Sequence, residues 1–98
     1  MKNIANGREF LFPVWLYTFE GLNCGQKLIF AYLVTTIIEN DGKTTITDEK
    51  LAEQTHRSVS TIKRALKKFD ELGLIERKIR YVRGYVKERT ISLRNKGG

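Results

Sequence analysis

The chain has 98 residues, of which 41% are apolar and 30% charged, the composition of an ordinary folded domain too short for two cores. Its single cysteine, Cys24, excludes an internal disulfide and fits a reducing, cytoplasmic setting. The net charge of +7 divides unevenly: residues 1–56 hold 5 Lys/Arg against 7 Asp/Glu, and residues 57–98 hold 13 against 4.

Residues 1–9 are polar, contain Asn6-Gly7 and are expected to be loose. Phe10 to Tyr17 (FLFPVWLY) is aromatic and branched, but Pro13 demotes it to an edge strand or an extended arm. The apolar run from Phe10 to Phe19 falls short of the roughly 20 residues a membrane span needs. Arg8 and Glu9 ahead of it, with no small-residue cleavage site behind, also argue against a signal peptide. Trp15, Tyr17 and the neighbouring phenylalanines are expected in the core, and a dimer contact is the competing reading because interfaces are rich in aromatics.

Asn23 and Gln26 make a capping-box pattern that starts a helix at Cys24, and Asn40-Asp41-Gly42 ends it after Glu39. Leu28, Ile29, Ala31, Tyr32, Leu33, Val34, Ile37 and Ile38 leave it little polar face, so it reads as the central core helix, with one stripe available for a dimer contact. Thr44-Thr45-Ile46 is a short β-prone stretch. Thr47 then caps a brief helix, Asp48 to Gln54, whose first turn carries Asp48 and Glu49 where the helix dipole favours negative charge. Thr55-His56-Arg57 is a tight connection, in which His56 is read as a turn filler, and Ser58 is the next N-cap.

Val59, Ile62, Leu66 and Phe69 recur at three- and four-residue spacing and predict an amphipathic helix over 59–72, closed by Gly73. Its opposite face carries Ser60, Thr61, Arg64, Lys67, Lys68 and Glu71. Leu74–Val82 and Tyr85–Leu93, separated by Arg83-Gly84, read as a hairpin, with Ile75, Ile79, Ile91 and Leu93 facing inward and a dense set of cations outward. Clustered cations of this kind suit a polyanion, because they release the counterions condensed on phosphates.

A short helix, a tight turn, an amphipathic helix and a hairpin follow in the order of a winged helix-turn-helix. The first helix of the pair braces the second, whose outer face fits a major groove about 12 Å wide. The stretch TITDEKLAEQTHRSVSTIKRALKKFDELGLIERK, with KLIFAYL before it, resembles the winged helix-turn-helix of bacterial plasmid and phage replication initiators and related small regulators. The resemblance spans residues 22–93, and FLFPVWLY is similar to the extended segment that often precedes the first helix in such initiators. It implies an α+β fold of three helices and a C-terminal β-hairpin wing, with a short strand between the first and second helices. It also implies that Ser60, Thr61 and Arg64 match positions that contact DNA. Initiators of this kind usually carry a further C-terminal domain, so a stand-alone regulator, an accessory factor or an isolated domain are all compatible with these 98 residues.

The chain accordingly divides into an arm (1–21), the winged domain (22–93) and a frayed tail (94–98). The expected function is sequence-specific binding of double-stranded DNA in replication or transcription control of a plasmid, phage or other mobile element. Candidate contacts are Ser58, Ser60, Thr61, Lys63, Arg64, Lys67 and Lys68 on the recognition helix, and Arg80, Arg83 and Lys87 on the wing. Arg64 is the expected base reader, since Arg is the commonest reader of guanine, while Lys67 and Lys68 suit phosphates, which position without specifying. For Ser60 and Thr61, helix-end capping is the alternative; for the cations, a solvated face. Two competing functions remain open: a protein-interaction winged helix recruiting replication or transfer machinery, and single-strand binding with Tyr81 and Tyr85 as stacking platforms. A homodimer through the aromatic segment and first helix is the expected assembly. No enzyme, cofactor or metal site is expected: Cys24 and His56 fall short of the four ligands of structural zinc, and no nucleophile triad or phosphate loop is legible.

Overall fold

The helix expected from Cys24 to Glu39 forms with those bounds and supplies the central part of the core. The structure, a computed structural model, describes the backbone of residues 2–5, 8–11 and 13–94 and the side chains of residues 13–85 and 88–94. In chain order the elements are β1 (Lys2–Ala5), β2 (Arg8–Leu11), a 3-10 turn (Val14–Thr18), α1 (Cys24–Glu39), β3 (Lys43–Thr44), α2 (Asp48–Thr55), α3 (Val59–Glu71), β4 (Ile75–Val82) and β5 (Tyr85–Leu93). The class is α+β: three helices and a three-stranded antiparallel sheet in the order β3-β5-β4, with the β1-β2 pair beside them.

The capping box of α1 is complete. Asn23 Oδ1 accepts the Gln26 N–H at 2.8 Å, and Gln26 Oε1 accepts the Asn23 N–H at 3.0 Å. Every residue from Ile29 to Ile37 is buried. The threonines in that stretch stay satisfied by donating back into the helix, Thr35 to the Ala31 carbonyl and Thr36 to that of Leu33. Leu28 and Ile38, at opposite ends, are about half exposed (47% and 51%); the residues from Ile29 to Ile37 between them are buried, so the two do not join into the one stripe expected.

α2 and α3 cover α1 with Leu51, Ala52, Ile62, Ala65, Leu66 and Phe69. Phe69 meets Phe30 edge-on, ring centroids 5.0 Å apart, and Tyr32 donates from its hydroxyl to Gln54 Oε1 at 2.7 Å, tying α1 to α2. α3 ends where expected: Gly73 takes φ 72°, its N–H reaches the Asp70 carbonyl and the Leu74 N–H reaches that of Phe69. This closure turns the chain directly into β4.

Three expectations are corrected. Of the stretch expected to be loose, Lys2–Ala5 and Arg8–Glu9 are not, because Lys2–Ala5 pairs antiparallel with Arg8–Leu11, and β2 lies against α1; residues 1, 6 and 7 lie outside the described residues. Phe10 to Tyr17 is therefore not one extended arm: a strand ends at Leu11 and a 3-10 turn follows Pro13, whose ring presets the backbone for a turn. Within that turn only Leu16 is core. Tyr17 is 57% exposed, and Trp15, 48% exposed, leans edge-on against Phe19 and Phe30. Third, of the four hairpin residues expected inward, Ile75 and Ile91 are buried, whereas Ile79 and Leu93 are not. Ile79 lies further out along the hairpin, where strand alternation selects a face without a core to bury it, whereas Leu93 sits opposite Ile75 at the root as the last residue of β5. Smaller shifts are a strand at Lys43–Thr44 rather than Thr44–Ile46, and an α2 one residue longer than expected. The frayed tail expected at 94–98 lies outside the described residues but for Arg94, whose N–H donates to the Leu74 carbonyl.

Candidate nucleic-acid interface

α3 is capped by Ser58, and its start is a hydroxyl cluster. Ser58 Oγ accepts the Thr61 N–H at 3.2 Å and lies 2.8 Å from Thr61 Oγ1 and 3.3 Å from Ser60 Oγ. Arg64 joins it, donating from Nη2 to Thr61 Oγ1 at 3.4 Å. Capping and surface presentation are thus not alternatives here. Ser58 caps, Thr61 braces Arg64, and Ser60 stays exposed.

At 100° per residue Ser60, Arg64, Lys67, Lys68 and Glu71 share one face of α3, opposite the buried row of Ile62, Ala65, Leu66 and Phe69, with Lys63 on its flank. Arg64, Lys63 and Lys67 are exposed and Lys68 is half-buried in the last turn. Among the described residues none of these four meets a carboxylate in an ion pair.

The wing is anchored by two other arginines. Arg77 on β4 forks onto Asp70 Oδ2 of α3 through Nε and Nη2, at 3.1 and 2.9 Å. Arg89 on β5 donates to Asp48 Oδ1 at 2.6 Å, at the start of α2, and to the Ile46 carbonyl at 2.7 Å. Guanidinium geometry suits both clamps: two N–H groups of Arg77 converge on one carboxylate oxygen, and the planar head of Arg89 spans two acceptors. Sequence reasoning counted these two among the surface charges of the hairpin; they belong to the fold.

Beyond the clamps the hairpin is bare. Arg80, Tyr81, Val82, Arg83 and Tyr85 are all exposed, with a bulge between Arg80 and Tyr81. Val82 pairs with Tyr85, so the loop is Arg83-Gly84, and both loop residues have positive φ (53° and 82°) as a twist-matched two-residue turn demands. Glycine accepts that backbone freely; arginine does so at a cost, and the turn presents a cation where Asn or Asp would fold more easily. Arg80 and Arg83 make no hydrogen bond or ion pair with α3 among the described residues, so the site falls into two separate parts. Lys87 lies within β5, and its side chain is outside the described residues. Sequence reasoning gave no contact role to the exposed Arg57, in the turn before Ser58.

Among the described residues, no helix is long and apolar enough to cross a membrane and no group of three or more His, Cys, Asp or Glu is placed to hold a metal ion. No family model matches the chain, and no curated protein matches it. Solved structures do. The chain is similar to the N-terminal domain of a DNA-binding protein, with 20% identity and a TM-score of 0.65 over 88% of this chain and 73% of that one. It is similar also to a chain from a Rep–DNA complex, with 20% identity and a TM-score of 0.63 over 88% of this chain and 74% of that one. At such identities the likeness is one of architecture, and the architecture is a winged helix-turn-helix.

Proposed function

We propose that the chain binds double-stranded DNA in a sequence-specific manner, with α3 in the major groove and the wing against the flanking backbone or minor groove. One observation carries this reading: the outward face of α3 holds Arg64, Lys67 and Lys68 without a carboxylate partner among the described residues, while Arg77 and Arg89 in the same basic half are neutralised by Asp70 and Asp48. A helix that leaves its cations unpaired along one face is set for phosphates. Ser60 and Arg64 are the readers of base edges, with Ser58 and Thr61 holding the start of the helix in place; Lys63, Lys67 and Lys68 hold phosphates; Arg80, Arg83 and Lys87 serve the wing. The names of the two similar structures, one a DNA-binding protein and one a Rep–DNA complex, support DNA binding and a role in replication control; control of a plasmid, phage or other mobile element is the setting we propose for it. In this reading the domain is a cytoplasmic binding module and performs no catalytic step.

The exposed Val14, Trp15 and Tyr17, together with Leu28 and Ile38 on α1, suit a homodimer that would place two recognition helices on half-sites about one DNA turn apart. The same side chains favour a second reading, in which the aromatic segment docks another protein of the replication or transfer machinery. Selection from random duplexes tests the first. The expected result is an enriched consensus with two-fold symmetry. Failure to enrich any sequence, with no duplex affinity at low salt, would favour the protein partner, and preference for an unstructured oligonucleotide would favour single-strand binding through Tyr81 and Tyr85.

A further inference from the structure

α2 closes as α3 does, but with a histidine in the left-handed position: His56 has φ 56°, and the Arg57 N–H then reaches the Ala52 carbonyl at 3.0 Å. This closure swings Arg57 back over the first turn of α1, where a Cβ added to Gly25 would stand 3.5 Å from both of its Nη atoms. Arg57 and Arg64, from either side of Ser58, border one cleft of about 210 Å³. Its remaining walls include Asn23, Gln26 and Thr61, and among the described residues they include no carboxylate. Asn23 and Gln26 already cap each other, so the two guanidiniums, rather than the helix end, give the cleft its character.

Two unneutralised guanidiniums beside one small polar cleft repel each other until an oxyanion joins them, and paired guanidinium donors match a phosphate group's oxygens. Arg64 also belongs to the outward face of α3, so the cleft is continuous with the surface assigned to DNA. We infer that this cleft seats one backbone phosphate of the duplex, with Arg57 as its anchor. The contact is independent of sequence and fixes the depth and register of α3 by holding the strand between α1 and α3. The inference rests on the duplex-binding reading.

The test is a set of anisotropy titrations on a labelled duplex between about 50 and 200 mM salt, for the wild type, Arg57→Gln and Gly25→Glu. Arg57→Gln should bind about tenfold more weakly at low salt, equally on unrelated duplexes, and lower the slope of log affinity against log salt by about 0.9. Gly25→Glu places a carboxylate beside Arg57 and fills the seat from within. It should weaken binding further while its melting temperature holds or rises, because it replaces a helical glycine and adds negative charge to the first turn. If the wild type binds with a steep slope and both variants keep that slope, the phosphate seat is overturned and the duplex reading stands. If the wild type shows no salt-sensitive duplex binding, both fall. A melting temperature raised by inorganic phosphate in the wild type but not in Arg57→Gln, together with a duplex affinity and slope that Arg57→Gln leaves unchanged, would overturn the assignment to the strand in favour of a free ligand.

Discussion

At the root of the hairpin, Arg77 and Arg89 each grip a carboxylate; along α3, Arg64, Lys67 and Lys68 grip none. Both groups come from the same basic half of the chain, and charge counting cannot separate them. Their neighbours can. Asp70 and Asp48 stand where the hairpin must be fastened to the helices, and the two arginines opposite them are consumed in that fastening. What is left over is the face we propose for the polyanion. The excess of cations in this domain thus divides into a structural share and a binding share, and each substitution should touch one property and spare the other.

Arg89→Ala should give the largest effect. It strands Asp48, whose side chain is 16% exposed, beside an emptied site, and a partly buried charge left without its partner costs about 2–3 kcal/mol. In a domain of this size that lowers the melting temperature by roughly 10–20 °C, while duplex affinity measured well below the transition stays put. A large affinity loss in the folded variant would erase the distinction. Arg64→Ala is its mirror: about 1–3 kcal/mol lost on the preferred duplex, with one base preference blurred, and thermal stability moved by less than about 0.5 kcal/mol. Arg77→Ala is a weaker version of the first, because its pair is about one-third exposed (30% and 37%) and partly screened; calorimetry should show about 0.5–1 kcal/mol. The smallest effect is Arg83→Asn. Relieving a strained arginine in the hairpin turn should stabilise the domain by a few tenths of a kcal/mol and lower the salt slope by about one unit if the wing touches a phosphate.

Local pattern carried most of the fold. The capping residues Asn23, Thr47 and Ser58, the three-four spacing of α3 and the Arg83-Gly84 turn each act within a few residues, so they can be read along the chain. The polar-faced cluster of Ser60, Thr61 and Arg64 was legible for the same reason. What was not legible depends on distance. Asp48 and Arg89 lie 41 residues apart, and nothing near either announces the other. The β1-β2 pair has a polar member whose strand character comes from its partner rather than its composition. Ile79 alternates correctly with its neighbours, but alternation does not report where along the hairpin the body of the domain stops. Arg57 is a single cation in a turn; only the left-handed His56 and the approach of α1 put it beside Arg64.

The most direct test of the whole account is the salt dependence of duplex binding, measured for the wild type, an Arg64/Lys67/Lys68→Gln variant and an Arg77→Gln variant. The account predicts a steep wild-type slope, a loss of about two units when the α3 cations go, as expected for the two phosphate contacts of Lys67 and Lys68 at about 0.9 each, and no change of slope for Arg77→Gln. A wild-type slope near zero, or one unaltered by removing the three α3 cations, would contradict it.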